Sequence, residues 1–395
     1  MSLVFESDAL KLNSTAPATH VLLVACGEYP DLAKAGYGGL APLTSPRQSV
    51  DAMANWFLSG VDGMFPSVGL PAEQAFHNPE APLGSIEMLA SPAHDYVTPL
   101  GQSKPVTRSV LINVREAYKR WLKRLGENPN SRGVFYFCGH GVGDGVDQVL
   151  IADDFGTDSE APWTATFHVS NTCQASIRKT KATLLFLIDA CMEFSPDLVF
   201  QINAPQALVD GKKSGEPLCT EWQVLRATTT NRQAYAQPND TARFTAALLQ
   251  ALRGYCGQQR AGQMYFDVTA AQLREATSAF LSKMQKPGDA KWQKLGLSQG
   301  DGTWNVGIHV LTKRPSVLVE LDINPVGFRP VAQVFMERNG TPRDLKTLNG
   351  GPAQFVVPRG DWTYGACAVG NLFPEKLCTD QQLSQAVVTY RFDIA

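Results

Sequence analysis

The chain has 395 residues, of which 44% are hydrophobic and 18% are charged, and its formal net charge is −2. This length allows two domains, or one large domain with an appendage, and the composition predicts a packed core rather than disorder. The near-balanced charge gives no support for a nucleic-acid partner or an anionic membrane surface. No apolar run approaches the roughly 20 residues that a membrane-spanning helix needs.

The eight cysteines are spread along the chain without CxxC pairs. Their spacing argues against a zinc site and against a disulfide scaffold, so we predict no metal centre. The N-terminal segment carries Glu6 and Asp8 and no basic stretch, which is not typical of a secretory signal. A reducing cytoplasm is therefore the expected location.

Strands and helices alternate from residue 20 to residue 284. Apolar runs predict buried strands, and apolar residues at helical spacing predict amphipathic helices. The predicted strands are 20–27, 86–90, 133–138, 148–152, 182–191 and 221–229, and the predicted helices are 49–57, 106–125, 169–178, 242–253 and 269–284. The rest of the proline-rich stretch 60–104 is expected to form loops near the sheet edge. The alternation predicts an α/β fold with a mostly parallel sheet flanked by helices.

The pattern changes after Pro287-Gly288. From residue 316 onward only short alternating segments occur, and they are separated by glycine-containing turns. Such segments predict a small, sandwich-like, all-β domain. We therefore divide the chain into a larger domain, 18–312, and a β domain, 316–395.

Two residues whose side chains could take part in catalysis lie at the ends of buried strands. His140 lies in the turn Gly139-His140-Gly141 after strand 133–138, and Cys191 ends strand 182–191, 51 positions later. Open α/β sheets place their ligands at the carboxyl ends of strands, so neighbouring strands would bring both side chains to one rim. A thiol attacks as the thiolate, and a nearby imidazole can take its proton. The pair is therefore the minimum needed for acyl transfer.

Backbone N–H groups are the candidate donors for the oxyanion of such a reaction. The N–H of Gly141 can approach the site because glycine has no Cβ, and the N–H of Cys191 is the natural second donor. Taken alone, a cysteine at the end of a strand is more often a packing residue, and a histidine in a glycine turn is usually structural. The combination and its context carry the catalytic prediction.

These motifs resemble those of a known family. Tyr136-Phe137-Cys138-Gly139-His140-Gly141 resembles the Ser/Cys-Gly-His-Gly loop of caspase-like cysteine peptidases of clan CD, family C14. Ile188-Asp189-Ala190-Cys191 resembles their Asp/Gln-Ala-Cys motif. The likeness covers about residues 18–312 and is closer to bacterial caspase homologues and metacaspases than to animal caspases. It implies a caspase-like fold and an endopeptidase that forms a thioester on Cys191, with His140 as base and then acid.

The resemblance also bears on specificity. Asp189 stands where animal caspases carry glutamine and metacaspases carry aspartate, which implies an acidic S1 pocket for Arg or Lys at P1. Asp51 matches a second acidic pocket position of metacaspases. Arg47 lies near the place of a P1-binding arginine of animal caspases, which favours the opposite preference, for Asp at P1. The alternative for Asp189 is a carboxylate that only orients its loop, and for Asp51 it is a charge at a helix N-terminus.

The resemblance further implies a linker and a substrate-binding strand. The loop 192–220 lies where caspases carry the linker between their subunits. Lys212 and Lys213 within it would suit self-cleavage by an enzyme specific for basic residues, and a plain solvated turn is the alternative. Substrate is expected to add as an extended strand beside Arg226, Ala227 and Thr228.

Metacaspases often need calcium, and carboxylates near the motifs could supply oxygen ligands. These are Asp144, Asp147, Asp153, Asp154 and Asp197. The loop after His140 is much shorter than the acid-rich loop of metacaspases. We therefore predict no cofactor and keep calcium as the alternative.

The leading hypothesis is an endopeptidase that cuts protein substrates after Arg or Lys. An Asp-specific peptidase is the enzymatic alternative, and a peptide-binding or scaffold module is the non-catalytic one. The β domain is a candidate surface for a regulatory partner, and neither nucleic acid nor a membrane is expected as a partner.

Overall fold

The structure is a computed structural model. It describes residues 2–394 except 34–35, 37–40, 62–69, 144–146, 195–205, 212–216, 230–231, 237–238, 286–287, 290, 297–298, 303–306 and 371. In the described part of the chain, none of the helices is long and apolar enough to cross a membrane.

A seven-stranded sheet forms the centre of the molecule. Its strands, in spatial order, are β1 (Leu3–Glu6), β3 (Leu83–Ser91), β2 (Thr19–Cys26), β6 (Arg132–Gly139), β10 (Thr183–Ala190), β12 (Trp222–Arg226) and β15 (Gln299–Asp301). The strands from β3 to β12 run parallel, and β1 and β15 pair antiparallel at the two edges. Nearly all residues of the parallel strands are buried, because helices cover both faces. The predicted mostly parallel sheet is confirmed.

Six helices accompany the sheet in the described chain. They are α1 (Asp8–Leu12), α2 (Ser45–Leu58), α3 (Leu111–Gly126), α4 (Val169–Ser176), α5 (Arg243–Leu252) and α6 (Ala270–Lys283). The apolar sides of α2, α5 and α6 share one core with the sheet, and those of α3 and α4 share the other. Thr269 caps the start of α6, and Gln272 completes a capping box with it.

The strand predicted at 86–90 is present as β3, but it is longer than predicted. It has nine residues and lies inside the central sheet between β1 and β2. The polar residues Ser85 and Glu87 interrupt its apolar pattern. Glu87 is nevertheless buried, because Arg120 and Arg124 of α3 neutralise its charge. A charge that is paired only in the fold therefore concealed the length and interior position of this strand.

Smaller sheets surround the central one. The strands β4 (His94–Val97) and β5 (Ser103–Val106) form a hairpin, and β13 (Gln258–Gln259), β14 (Phe266–Val268) and β16 (His309–Leu311) form a three-stranded sheet. A four-stranded sheet has the order β11 (Glu193–Phe194), β7 (Gly141–Gly143), β8 (Gln148–Ile151) and β9 (Thr166–His168). This last sheet joins the chain after His140 to the chain after Cys191. The predicted strand at 148–152 belongs to it and not to the central sheet.

The C-terminal region is rich in strands, as predicted, and also contains a 3-10 helix at Val326–Val331. One sheet has the order β20 (Ala353–Pro358), β17 (Ser316–Asn324) and β23 (Val387–Asp393), and the other has the order β19 (Asp344–Thr347), β18 (Ala332–Glu337), β21 (Gly360–Ala368) and β22 (Lys376–Leu383). Both sheets contribute to one hydrophobic core. The strands β19 and β22 had no apolar alternation to reveal them, since most of their residues are exposed.

The C-terminal strands also contact the region before them. Leu318 and Ala386 join the core beneath α5 and α6, and the Arg359 guanidinium donates to the carbonyls of Tyr255 and Gly257 at 3.1 and 3.0 Å. The division at 312–316 therefore stays a prediction.

Candidate active site

The two predicted catalytic residues lie at one rim of the central sheet. The parallel strands β6 and β10 are neighbours, and Gly139 pairs in register with Ala190. His140 and Cys191 are the next residue of each strand. The strand residues two positions before them, Cys138 and Asp189, lie on the face covered by α2 and α5.

The backbone and ring of His140 are held in place by residues of other segments. Its N–H donates to the Tyr29 hydroxyl at 2.8 Å, and the Tyr29 ring lies 4.9 Å from the imidazole, centroid to centroid. The imidazole Nε2 lies 2.7 Å from the Ala41 carbonyl oxygen. A carbonyl can only accept, so Nε2 carries the hydrogen. The lone pair of a neutral imidazole is then left on Nδ1.

Both candidate catalytic groups are electrically neutral near pH 7. Burial lowers the pKa of His140, which disfavours the imidazolium. Burial also raises the pKa of Cys191 from 9.0 to about 11, although the Ala234 N–H acts in the opposite direction. The sulfur accepts that N–H at 3.3 Å and lies 3.8 Å from the Ala234 carbonyl oxygen. Within the described chain no hydrogen bond joins the imidazole to the thiol. Because of the two pKa shifts, the resting site holds a neutral thiol and a neutral imidazole.

Gly141 lies directly against the peptide unit of Cys191. A Cβ at this position would come 2.7 Å from the Cys191 carbonyl oxygen and 3.0 Å from the Ala190 Cβ. Only glycine fits so close an approach. The role of the Gly141 and Cys191 N–H groups as oxyanion donors stays a prediction.

Asp189 occupies an enclosed site behind Cys191. It is 3% exposed, and its carboxylate accepts the Thr245 hydroxyl at 2.6 Å. The Tyr136 hydroxyl lies 2.5 Å from the same Thr245 oxygen, so it donates to that oxygen in turn. Burial raises the pKa of Asp189 to about 7. A charged carboxylate here has the hydroxyl and the backbone N–H of Thr245 as partners but no cation in the described surroundings.

Asp51 lies in a different environment. Its carboxylate lies 3.2 Å from the Nε2 of His94 of β4. The Arg47 guanidinium lies 3.9 Å away along the same helix. The side chain is 29% exposed. Among the described contacts, Asp51 and Asp189 share no partner, so their membership of one pocket stays a prediction.

The proposed substrate strand is occupied by the chain itself. Arg226, Ala227 and Thr228 are all buried. The Arg226 carbonyl accepts the Gly296 N–H, and the Ala227 carbonyl accepts the Gln293 side chain, each at 3.0 Å. A peptide that pairs with this edge must displace both contacts.

Ala234 contacts the nucleophile and Arg232 contacts the residue after it, which the sequence did not indicate. Besides the contact of Ala234 with the sulfur, the Arg232 carbonyl accepts the Met192 N–H at 3.1 Å. The roles of Ala41 and Ala234 rest on backbone atoms, which leave no signature in the sequence. Tyr29 could have been noticed, since it follows the strand next to β6 at the same rim.

The carboxylates considered for calcium have other partners. Asp147 pairs with Arg226 at 2.9 Å, Asp153 pairs with Arg108, and Asp154 accepts the Leu111 N–H at 2.8 Å. The described residues contain no group of three or more potential metal ligands. Asp144 and Asp197, like Lys212 and Lys213, lie outside the described residues.

The chain is similar to known proteins along most of its length. The family model of the caspase domain, Peptidase C14, matches residues 19–289. An uncharacterized protein of Sinorhizobium fredii is 48% identical over 338 residues, which is 85% of this chain and 97% of the relative. Among solved structures, caspase-1 from Spodoptera frugiperda is similar with 11% identity and a TM-score of 0.40, over 72% of this chain and 86% of that chain.

Proposed function

This chain belongs to the caspase-domain family of cysteine peptidases, and from that premise we propose that it is an endopeptidase with Cys191 as nucleophile and His140 as base. One observation carries the proposal: the register of β6 and β10 puts both residues at one rim, with the Ala41 carbonyl holding the hydrogen of His140 on Nε2. The remaining nitrogen, Nδ1, is the one able to take a proton from the thiol.

The reaction begins from a neutral pair. As Sγ attacks the carbonyl carbon of the scissile bond, its proton passes to Nδ1, and the imidazolium is stabilised by the Ala41 carbonyl at Nε2. The imidazolium then protonates the leaving amine, which departs and leaves a thioester on Cys191. Water attacks the thioester and gives a proton to Nδ1. Collapse of the second intermediate releases the acid and returns the proton to the sulfur.

The oxyanion of both intermediates needs donors that are already in place. We assign this role to the N–H groups of Cys191 and Gly141, because the tight contact of Gly141 with the Cys191 peptide keeps both N–H groups at one place. The raised pKa of Cys191 makes such help important, since little thiolate exists before substrate binds.

We propose Arg or Lys at P1, bound by Asp189. The proposal is supported by the position of Asp189 two residues before Cys191 on the same face of the strand and by its lack of a cation among the described contacts. A P1 guanidinium or ammonium would supply the missing charge and would favour the ionised carboxylate. Asp51 is retained as a second acidic position with a smaller effect, because His94 and Arg47 already face it.

The direct test is a fluorogenic peptide library with each amino acid at P1. We expect turnover after Arg and Lys that Cys191→Ala and His140→Ala abolish. Cys367→Ala is the matched control, because Cys367 is also a half-buried free cysteine but lies in the C-terminal strands. Turnover of P1-Asp substrates alone would contradict the assignment of Asp189. Turnover that survives Cys191→Ala, or none at all by the intact protein, would contradict the peptidase.

Self-cleavage can be detected in the same preparations of wild-type and Cys191→Ala protein. We propose that it occurs after Lys212 or Lys213, and mass spectrometry would then find fragments in the wild-type protein that the Cys191→Ala variant lacks. Fragments of equal amount in both would exclude self-cleavage as their source.

A further inference from the structure

Gln148 contacts the backbone on both sides of the nucleophile's N–H. Its side chain is fully buried at the start of β8, and its Nε2 donates to the Ala190 carbonyl at 3.1 Å and to the Cys191 carbonyl at 2.9 Å. Both partners can only accept, so the amide must present its nitrogen to them. The amide oxygen has no hydrogen-bond partner in the described chain. The side chain is thus oriented by its two donor contacts.

These contacts fix the direction of the Cys191 N–H. The Thr228 hydroxyl, which follows β12, also donates to the Ala190 carbonyl at 3.5 Å, so this carbonyl points to the β12 side of β10. The bond between Ala190 and Cys191 is not one of the cis peptides, and the C=O and N–H of a trans peptide point in opposite directions. The Cys191 N–H therefore points to the β6 side, where Gly139, His140 and Gly141 lie.

The next peptide unit is held in the same way. Gln148 binds the Cys191 carbonyl, and the N–H of Met192 on the opposite side of that peptide donates to the Arg232 carbonyl at 3.1 Å. Two consecutive peptide units at the nucleophile thus have fixed orientations, and Gln148 donates to both.

We propose that Gln148 is a positioning residue that aligns the Cys191 N–H for the oxyanion of the peptidase reaction. The inference rests on the proposed function. The described hydrogen bonds of Gln148 go to backbone carbonyls and not to the sulfur, so it acts through the backbone on either side of Cys191. Free rotation of the Ala190–Cys191 peptide would misdirect the donor without changing the thiol itself.

The test compares two chemistries at the same sulfur. Acyl transfer passes through an oxyanion, whereas alkylation by chloroacetamide displaces chloride from carbon and forms none. Gln148→Met keeps the length of the side chain but removes both donors, and Gln148→Glu replaces the donor nitrogen by an acceptor oxygen. Gln223→Met is the matched control, since Gln223 is a buried glutamine within β12. Each kcat is calculated per Cys191 thiol, as titrated by alkylation. Rates from a partly folded preparation can therefore still be compared with those of the wild type.

We expect both Gln148 variants to lower kcat on the best substrate by about 10- to 100-fold, somewhat less than the loss of an oxyanion donor itself. KM and the alkylation rate should stay within about two-fold of wild type, because neither depends on transition-state charge. Wild-type kcat in both variants, beside an inactive Cys191→Ala, would overturn this inference alone. An alkylation rate that falls in step with kcat would also overturn it. Absence of Cys191-dependent turnover in the wild type would overturn the proposed function and this inference with it.

Discussion

Replacement of Asp189 by asparagine should make the protein more stable and, at the same time, lower its activity on basic substrates. The carboxyl is enclosed, and burial raises its pKa from 3.8 to about 7. At about 1.4 kcal/mol for each pH unit, this corresponds to about 4 kcal/mol against the ionised form. The amide of Asn is isosteric, and its oxygen can still accept the Thr245 hydroxyl.

The sign of the pH dependence follows from the raised pKa. Between about pH 4 and pH 7 the folded protein keeps a proton on Asp189 that the unfolded chain has lost, so the free energy of unfolding decreases as pH rises through this window. Above pH 7 the full destabilisation is present. Asp189→Asn has no such titration, so its stability relative to wild type should be close to equal at pH 4 and should increase by up to about 4 kcal/mol at pH 8. Desolvation of the amide N–H groups will offset part of this gain.

The effect on turnover should have the opposite sign. Removal of one partner from a buried charge pair costs about 2–5 kcal/mol, which is about 30-fold or more in kcat/KM for P1-Arg substrates. Thermal unfolding of both proteins at pH 4 to 8 and kinetics with matched P1-Arg and P1-Gln peptides measure the two effects. Wild-type kcat/KM on P1-Arg would refute the pocket assignment. Parallel stability curves would refute the buried ionisation.

Three further predictions concern the site and its support. Because burial lowers the pKa of His140, the acid limb of the kcat/KM profile should lie below pH 6.5. Because burial raises the pKa of Cys191 to about 11, the alkylation rate of Cys191 should still increase above pH 9. A plateau of that rate near pH 9 would contradict the buried thiol. Tyr29→Phe leaves the Cys26 carbonyl and the His140 N–H unpaired and should lower kcat about 10-fold, whereas Tyr96→Phe, at a buried tyrosine bonded to Asn55, should not. Arg359→Ala should lower the free energy of unfolding by about 2–3 kcal/mol through its two lost carbonyl contacts, and Lys313→Ala, at an exposed side chain, should leave the melting temperature unchanged.

The sequence was sufficient where one local pattern determined the structure. The apolar runs of β6 and β10 and the amphipathic spacing of α3, α5 and α6 require no distant partner to be recognised. Parallel neighbours end at one rim, so the placement of His140 and Cys191 at the same rim followed from topology.

The sequence was insufficient where a property depends on a partner far along the chain. The burial of Glu87 depends on arginines of α3, and the environment of Asp189 depends on Thr245 of α5. The tautomer of His140 depends on the backbone carbonyl of Ala41, and the hydrogen bond to the Cys191 sulfur depends on the backbone N–H of Ala234. No side-chain pattern could have revealed these last two contacts, because any residue supplies the same atoms.

The most direct test of the central claim uses a peptide that ends in an arginyl acyloxymethyl ketone, which reacts with a cysteine only after the P1 residue has been bound. We expect one adduct per chain, mapped by mass spectrometry to Cys191, and markedly slower labelling in His140→Ala and Asp189→Asn. Equal labelling of several of the eight cysteines, or a labelled Cys191 that reacts faster with the aspartyl reagent than with the arginyl one, would contradict it.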